Sequence, residues 1–309
     1  NVIGKIYAGI ADDMLTTTIM ATTAPKYLCP AMNTEMYNNP ITQRNLEGLR
    51  SLGYHIMDPA EGWLACGIIG VGRLPEPEAI VEWLESKMFS TNELEGTTIL
   101  VTAGGTQENI DPVRYIGNRS SGKMGYAIAD QAARMGAQVI LVSAPTSLPV
   151  PSGVDFVSVD SALSMQEAVE ARYNDVNVVI MAAAVSDFRA LHKAEQKIKK
   201  MESMTIELVK NPDILQGLGS KKSHQLLVGF AAETEHVIKY GQDKVARKNL
   251  DMLVANDVSK SNAGFNVDTN EGYFLYPDKE PKKMPNMKKS DLARHILKEV
   301  IELVANKQS

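Results

Sequence analysis

Residues 99–106 read ILVTAGGT, an apolar run that ends in two glycines and a threonine. The run predicts a buried β-strand, and residues 123–135 behind it have the apolar spacing of a helix. A second apolar run, QVILVS, follows at 138–143. Apolar strands that alternate with amphipathic helices are typical of a parallel, doubly wound sheet. We therefore predict a Rossmann-like α/β domain that begins at this strand.

The alternation continues through the rest of the chain. The patterns predict a helix at 162–172, strands at 178–184, 226–232 and 251–257, and a helix at 235–248. Residues 266–276 alternate around an Asn-Glu-Gly turn and predict an antiparallel hairpin, and the lysine-rich stretch 277–289 predicts a solvated connection. The last helix is expected to begin with Ser290 as its N-cap.

A polar stretch, FSTNELEGT at 89–97, separates this region from a different one. We predict one domain over 1–88, a linker over 89–96 and a second domain over 97–309. The first region predicts helices at 6–21, 42–52 and 77–88 but little strand, which makes a poor independent core. Because the sequence starts at Asn1 in the middle of a pattern, we expect this region to complete a larger domain.

Composition excludes several classes of protein. The chain has 309 residues, of which 44% are hydrophobic, and a net charge of −5, which argues against disorder and against non-specific binding of nucleic acid. The sequence has no apolar stretch long enough to span a membrane and no secretory signal pattern. With only two cysteines, Cys29 and Cys66, a disulfide scaffold is excluded, and we expect a cytoplasmic protein with no membrane partner.

Glycine-rich segments follow the first predicted strand. Gly104 and Gly105 either let a ligand approach the backbone or serve only the turn. The missing G-x-G-x-x-G fingerprint argues against a dehydrogenase. GNRSSGKMG at 117–125 is close to a phosphate loop, but Met124 replaces the hydroxyl that would bind magnesium. Asn118 could donate to an oxyanion, or could merely cap the next helix together with its neighbouring serines.

Charged residues later in the chain also have two interpretations. Asp187 follows a predicted strand and either accepts hydrogen bonds from a sugar or base, or caps a helix. Lys197 and its neighbours 199, 200 and 210 could neutralise phosphates, although lysine runs are usually solvated. Lys244 and Lys248 are four residues apart on one predicted helix, so both could face one anion.

The first region holds its own candidates. Asn33 lies in a loop after an apolar run, and Cys66 lies in a glycine-rich stretch that ends near Arg73. Cys66 is either a proton donor or an inert buried thiol. The five histidines show no metal-ligand spacing, so the metal-binding residues stay unknown.

In this order, the segments resemble two linked families of coenzyme A biosynthesis. The first region is similar to the C-terminal half of flavin-dependent phosphopantothenoylcysteine decarboxylases through IADDMLTTTIMAT (10–22), PAMNTEM (30–36) and ACGIIGVGRL (65–74). The second region resembles phosphopantothenate–cysteine ligases through VTAGGTQENIDPVRYIGNRSSGKMG (101–125), AAAVSDFR (182–189), KIKK (197–200), KNPDI (210–214), GFAAET (229–234) and KNLDMLVAND (248–257). The resemblance covers essentially the whole chain.

The resemblance implies a ligase that joins 4'-phosphopantothenate to L-cysteine. CTP would activate the carboxylate as an acyl-cytidylate with Mg²⁺ present, and the cysteine amine would then displace CMP. Catalytic roles are implied for Asn118 and Lys197, and substrate binding for Gly104 and Gly105. The implied CTP-binding residues are Met181, Ala182, Ala183, Asp187, Lys197, Pro212, Asp213, Ile214, Leu215, Phe230, Lys244 and Lys248.

For the decarboxylase, the resemblance implies a flavodoxin-like α/β domain with FMN as cofactor, of which residues 1–88 would be a part. Asn33 and Arg73 would bind substrate, and Cys66 would be the proton donor. Because the family's flavin-binding turn and catalytic histidine have no counterpart here, we expect an amino-terminally truncated decarboxylase that does not retain FMN. The family also implies homo-oligomers, with ligase dimers and decarboxylase trimers. The alternative is a non-catalytic, flavoprotein-type binding or regulatory subunit.

Overall fold

The computed structural model describes residues 1–65, 67–88, 91–199, 202–233, 236–257 and 269–308. The chain divides into two units, Asn1–Ser90 and Thr91–Ser309. Each unit has its own buried residues. Within the described residues, no helix is both long and apolar enough to cross a membrane.

The first unit is made of short elements. In chain order they are α1 (Val2–Tyr7), α2 (Met14–Ala21), β1 (Tyr27–Leu28), α3 (Thr34–Asn38), α4 (Pro40–Ser51), β2 (His55–Ile56), β3 (Ala60–Trp63), β4 (Ile69–Arg73) and α5 (Pro77–Met88). β1 pairs with β2 in parallel, and β3 pairs with β4 antiparallel. Leu46 and Leu49 of α4 are fully buried, and Tyr27 contacts the edge of the Trp83 ring.

The prediction of one helix over 6–21 is wrong, because the chain breaks it into α1 and α2. Gly9 has a φ of +70°, and Asp13 starts a new helix by accepting a 2.8 Å hydrogen bond from the backbone N–H of Thr16. The Thr16 side chain bonds back to the Asp13 backbone N–H, which completes a capping box. The predicted helix at 77–88 is confirmed as α5, and the one at 42–52 corresponds to α4.

The second unit carries the large sheet. Its elements are β5 (Thr98–Ala103), β6 (Gln107–Asn109), β7 (Tyr115–Gly117), α6 (Lys123–Arg134), β8 (Gln138–Ser143), β9 (Val154–Ser158), α7 (Ala162–Glu170), a 3₁₀ turn (Tyr173–Asp175), β10 (Val178–Met181), β11 (Phe188–Ala190), β12 (Leu208–Lys210), α8 (Ile214–Lys221), β13 (Leu226–Glu233), α9 (Val237–Arg247), β14 (Met252–Asp257), β15 (Thr269–Leu275), β16 (Lys282–Lys288) and α10 (Lys289–Gln308).

Eight strands of the described chain form one sheet in the order β16-β15-β14-β13-β10-β5-β8-β9. The six strands from β14 to β9 are parallel, and β15 and β16 extend the sheet antiparallel. Numbered by their order in the chain, the parallel strands run 3-2-1-4-5-6 across the sheet, which is the Rossmann arrangement. The predicted doubly wound α/β fold is confirmed.

Helices cover both faces of this sheet. Apolar residues of α6 and α10 pack on one face, and those of α7, α8 and α9 pack on the other. The central strand β10 is buried at every position. The two-stranded ribbons β6–β7 and β11–β12 contact each other outside the main sheet.

Three predictions at the end of the chain are wrong. The expected hairpin within 266–276 is a single strand, β15, over its described part, because its antiparallel partner is β16. The lysine-rich stretch 277–289 is therefore not only a connection: it contains β16, whose Met284 is buried while its lysines are exposed. The edge strand β9 was not predicted, and α10 begins at Lys289, so Ser290 lies inside it.

Asp111 holds the β6–β7 turn against the loop that follows β11. Its buried carboxylate accepts hydrogen bonds from the backbone N–H groups of Val113 (2.8 Å), Arg114 (2.9 Å) and Ile198 (3.1 Å). The Arg114 guanidinium also donates to it at 2.8 Å. Burial raises the pKa of Asp111, but the backbone donors and then Arg114 outweigh burial, so the net pKa lies below its usual range.

We expect Asp111→Asn to destabilise the second unit at neutral pH and to flatten the acid side of its stability profile. Because the folded pKa is depressed, the carboxylate stabilises the fold above roughly pH 4, and this contribution is lost as pH falls through the folded pKa. Urea unfolding followed by circular dichroism at several pH values measures it. Asp155→Asn, at an exposed position on β9, is the matched control. Parallel pH profiles for Asp111→Asn and the unsubstituted chain would contradict the assignment.

Candidate functional site

The site lies where the strand order reverses, between β5 and β10. In open α/β sheets this switch point leaves a crevice at the carboxyl ends of the strands. The turn after β5 and the segment after β10 meet there through a 2.8 Å hydrogen bond from Ala184 N to Gly104 O. Gly105 also forms an isolated parallel bridge with Ala184. Both segments were predicted to carry site residues.

Gly104 and Gly105 are required by close backbone packing. Gly104 has a φ of +81°, and a Cβ on it would lie 2.7 Å from the Ala144 carbonyl oxygen. A Cβ on Gly105 would lie 2.8 Å from the Asn118 carbonyl oxygen. These contacts support the turn interpretation of the two glycines, and their binding of substrate stays a prediction.

A cavity of about 590 Å³ opens at this crevice. It is lined by the start of α6, the segment after β10, the start of α8, and parts of β13, α9 and β14. Predicted site residues that line it are Asn118, Met181, Ala182, Ala183, Asp187, Pro212, Asp213, Ile214, Leu215, Phe230, Lys244 and Lys248. The fold therefore brings together predicted residues from five separate segments of the sequence.

Asn118 is held next to the end of β10. Its side-chain amide donates to the carbonyl oxygens of Ala184 and Val185, at 3.3 Å each. Helix α6 begins at Lys123, and its N-cap residue Gly122 has a φ of +76°. The Asn118 amide is directed to the segment after β10 and not to this helix, whereas Ser120 Oγ accepts a 3.4 Å hydrogen bond from Gly122 N. The capping alternative is therefore supported for Ser120 but not for the Asn118 amide.

Asp187 has an exposed carboxylate on the wall of the cavity. Strand β11 begins at the next residue, so the alternative that Asp187 caps a helix is wrong. Its backbone carbonyl accepts a 2.8 Å hydrogen bond from Asn211 N, and the Asn211 side chain donates to Ser186 O at 2.8 Å. These bonds fix the backbone on both sides of Asp187 while its side chain remains accessible.

A second carboxylate on the cavity wall, Asp213, already has a hydrogen-bond donor and an ion-pair partner. It caps α8 by accepting from Gln216 N at 3.0 Å, and its carboxylate lies 2.8 Å from the Lys248 ammonium. Burial raises the pKa of Asp213, but Lys248 and the helix N–H lower it further, and the net pKa is depressed. This ion pair sets the position of Lys248 beside Lys244 and Arg247 on the cavity wall.

Four predicted residues lie elsewhere. Lys197 lies in a separate cavity of about 290 Å³ with Arg114 and two neighbouring residues. In the first unit, Asn33 caps α3 through a 2.8 Å bond from Glu35 N, and Arg73 forms an ion pair with Glu76.

Cys66, the fourth of these, lies outside the described residues. Within the described chain no group of three or more His, Cys, Asp or Glu residues could hold a metal ion.

Sequence reasoning missed several lining residues, namely Arg247, Asn256, Asn270 and Lys289. Asn256 is the next-to-last residue of the predicted strand 251–257, and its position near the carboxyl end of a strand could have indicated the site. Lys289 was missed because it is one of several lysines in the stretch 277–289, which was predicted to be solvated. Oxygens of Ser186, Asn256 and Asn270 are buried without a hydrogen-bond partner among the described residues.

The strand order and the polar cavity at the switch point define a doubly wound α/β protein with a site of nucleotide size. Residues 94–304 match the family model described as DNA/pantothenate metabolism flavoprotein C-terminal domain, and residues 1–89 match the model described as Flavoprotein. The chain belongs to the family of coenzyme A biosynthesis bifunctional proteins CoaBC, which are enzymes.

Individual relatives agree with this assignment. The chain is 48% identical over 307 residues to CoaBC of Bacillus subtilis (strain 168), covering 98% of this chain and 76% of that protein. It is 46% identical over 306 residues to CoaBC of Escherichia coli (strain K12), covering 97% and 75%. The crystal structure of the C-terminal domain of a CoaBC aligns with a TM-score of 0.61 at 44% identity, covering 70% of this chain and 100% of that domain. The chain spans about three quarters of the length of each of the first two relatives.

We expect Gly104→Ala to destabilise the second unit by about 1–3 kcal/mol, because a side chain there is strained in the left-handed region. Far-UV circular dichroism during urea unfolding measures the effect. Gly217→Ala in α8 is the control: with no atom near its Cβ, it should leave stability unchanged or raise it by up to about 1 kcal/mol. Both tryptophans, Trp63 and Trp83, lie in the first unit, so their fluorescence should be unaffected by either change. Equal stability of the two variants would contradict the steric argument.

Proposed function

We propose that this chain ligates 4'-phosphopantothenate with L-cysteine in a CTP-dependent reaction. The carboxylate attacks the α-phosphorus of CTP, which gives an acyl-cytidylate and releases pyrophosphate. The cysteine amine then attacks the acyl carbon and CMP leaves. The observation that carries the proposal is the cavity of about 590 Å³ at the switch point, in a chain of the CoaBC family.

The lining suits a nucleotide. Phe230 and residues 181–183 offer an apolar edge for a base and ribose, and Asp187 can accept from ribose hydroxyls. Lys210, Lys244 and Arg247 line the same cavity and can neutralise phosphate oxygens. Residues 212–215 complete this wall at the start of α8.

Asn118 is proposed to act at the acyl carbon. Its amide lies at the junction of the β5 and β10 segments, where its two 3.3 Å bonds to carbonyl oxygens are long and replaceable. An N–H donor at this place can stabilise the negative charge that develops on the carbonyl oxygen during attack by cysteine.

Mg²⁺ is proposed as the metal that accompanies CTP. Such an ion is usually held by one or two carboxylates together with substrate phosphates. Asp187 fits this requirement because its carboxylate is exposed on the cavity wall, whereas Asp213 is engaged by Lys248 and by α8. When bound, the ion would neutralise charge on the triphosphate.

The test is to incubate the chain with 4'-phosphopantothenate, L-cysteine, CTP and Mg²⁺ and to measure pyrophosphate and the coupled product. Omission of phosphopantothenate is the blank. Pyrophosphate and product in equal amounts support the ligase. A chain that binds CTP but releases no pyrophosphate supports the alternative of a non-catalytic binding or regulatory subunit.

We expect Asn118→Asp to slow the cysteine-dependent step more than activation, because a carboxylate replaces an amide donor beside a developing oxyanion. A loss of about 100-fold or more in that step is typical for one such donor. Quenched single-turnover reactions with labelled phosphopantothenate should show accumulated acyl-cytidylate.

Lys197→Ala provides the contrasting variant. We also propose that Lys197, which lies in the smaller cavity, contributes a positive charge to the triphosphate, as the resemblance implies. The Lys197→Ala variant should then form little acyl-cytidylate. Lys193→Ala, at an exposed position in the same loop, is the control.

For the Asn118→Asp variant, an equal loss of rate in both half-reactions would show that Asn118 has a purely structural role.

We also propose that residues 1–89 contribute to a phosphopantothenoylcysteine decarboxylase that uses FMN, as the match to the Flavoprotein model supports. Asn33 and Arg73 would bind substrate and Cys66 would donate the proton. The parallel pair β1–β2 of this unit is only two residues long on each strand.

We therefore expect this chain not to retain FMN through desalting. The absorbance of the protein fraction near the flavin band measures retention, and CTP binding by calorimetry checks that the second unit is intact. Retention of one FMN per chain would overturn this expectation and support a complete flavin site.

Homo-oligomers, with ligase dimers and decarboxylase trimers, remain part of the proposal. Exposed apolar side chains on the two ribbons of the second unit are available for such an interface: Val113, Tyr115, Phe188 and Leu208. We also propose that the protein is located in the cytoplasm, together with the coenzyme A biosynthesis pathway of its family.

A further inference from the structure

The segment between β10 and β11 carries Asp187 to the large cavity without being part of either strand. β10 ends at Met181 and β11 begins at Phe188, so the backbone of 182–187 must find its hydrogen-bond partners outside those strands. The carboxylate of Asp187 is exposed on the cavity wall. The direction of this carboxylate therefore depends on how the backbone that carries it is held.

Two threonine hydroxyls on the β5 side accept hydrogen bonds from this segment. The Thr102 hydroxyl accepts from Ala183 N at 3.1 Å, close to the end of β10. The Thr106 hydroxyl accepts from Ser186 N at 2.9 Å, directly before Asp187. Both threonines are fully buried. A side-chain acceptor, and not a neighbouring strand, thus fixes the backbone at the residue that precedes Asp187.

Thr106 is itself held firmly. Its backbone N–H donates to Ala184 O at 3.2 Å, and the N–H of the next residue, Gln107, donates to Asp160 O at 2.7 Å. The Thr106 carbonyl oxygen packs against Gly117, where a Cβ would lie 2.7 Å from it. The side chain is also β-branched, which restricts its χ1 angle. The Thr106 hydroxyl is therefore a rigid acceptor.

Asn211 holds the same point of the chain through a second set of bonds. Its side-chain amide donates to Ser186 O at 2.8 Å, and its backbone N–H donates to Asp187 O at 2.8 Å. The Arg189 guanidinium donates to Asn211 Oδ1 at 2.9 Å, which orients the carboxamide. Both polar backbone groups of Ser186 are thus bound by side chains, and the backbone on each side of Asp187 is constrained.

Loss of the Thr106 hydroxyl would leave the buried Ser186 N–H without this acceptor. An unsatisfied buried donor costs more than a typical hydrogen bond contributes, so the segment would shift toward another acceptor. Asp187 would then present its binding geometry for only part of the time. The apparent affinity of its ligand falls by the same fraction, because only the competent conformation binds.

We propose that Thr106 is a positioning residue for Asp187. By accepting from Ser186 N, its hydroxyl keeps the Asp187 carboxylate directed at the nucleotide. Thr106 is fully buried and is not one of the described residues that line the cavity, so it acts without touching the ligand. The ligand of Asp187 rests on the proposed function, whereas the constraint on its backbone does not.

The first test is calorimetric titration of the whole chain with CTP and Mg²⁺, without phosphopantothenate. Thr106→Val removes the hydroxyl and keeps the shape of the side chain, whereas Thr106→Ser keeps the hydroxyl and removes the methyl group. We expect about a tenfold loss of CTP affinity in Thr106→Val and less than about a twofold loss in Thr106→Ser. A packing role predicts the reverse order, so a larger loss in Thr106→Ser would overturn the proposal.

A double-mutant cycle shows whether Thr106 acts through Asp187. In an Asp187→Ala background, Thr106→Val should change CTP affinity by less than about twofold, because the side chain that it positions is gone. A tenfold loss that persists in this background would contradict the proposal. Titrations without Mg²⁺ then identify the contact: a loss that remains assigns a ribose hydroxyl to Asp187, and a loss that disappears assigns the cation.

Amide hydrogen exchange of the chain without nucleotide tests the backbone contact directly. Exchange at Ser186 N–H should be at least about tenfold faster in Thr106→Val and unchanged in Thr106→Ser. Thr98→Val is the matched control, because Thr98 lies at the other end of β5 and its hydroxyl donates to Gln138 Oε1 at 3.3 Å. Unchanged exchange at Ser186 in Thr106→Val, or an equal effect in Thr98→Val, would overturn the assignment.

Pyrophosphate release with the full set of substrates separates this inference from the proposed function. If pyrophosphate is released but Thr106→Val binds CTP normally and leaves Ser186 exchange unchanged, the ligase stands and the positioning role is wrong. If no pyrophosphate is released but Thr106→Val weakens CTP binding only when Asp187 is present, the positioning role stands and the ligase is wrong.

Discussion

The backbone pairing of β5 with β10 is the constraint on which the site depends. These strands are far apart in the sequence, yet Ile99 lies opposite Val178 and Thr102 opposite Met181. The pairing continues beyond the strands: the buried Thr102 hydroxyl accepts from Ala183 N at 3.1 Å, and Thr106 N donates to Ala184 O at 3.2 Å. Because the chain leaves the two strands in opposite lateral directions, the crevice between them stays open.

The same pairing explains why the glycines are placed where they are. With the segment after β10 fixed against the turn after β5, the Asn118 backbone must pass within contact of Gly105, and Ala144 must pass within contact of Gly104. Only a residue without Cβ avoids both backbone carbonyls. Packing at this turn therefore positions Asn118 and the start of α6. The geometry of any reaction in the cavity depends on these positions.

The sequence predicted the parts of the fold that are buried on both faces. β5, β8, β10 and β13 are continuous apolar runs because helices cover both sides of the sheet. β9 and β16 were missed because edge strands expose one face: Phe156 of β9 is 40% exposed, and β16 buries only Met284 among many lysines. Site residues inside recognisable segments were predicted, whereas Asn270 and Lys289 reach the cavity through strand register, which local sequence does not encode.

The charge of the cavity wall differs in sign from the net charge of the whole chain. The chain carries a net charge of −5, but among the described residues that line the large cavity there are six cations and two carboxylates. The Asp213 carboxylate is paired with Lys248, and cations outnumber carboxylates among the described residues of the cavity wall. Such a wall can attract anions although the whole protein is acidic, and salt screens this attraction beyond about 10 Å at moderate ionic strength. The local excess of cations is a product of the fold, because the sheet brings α6, α8, α9 and α10 to one edge.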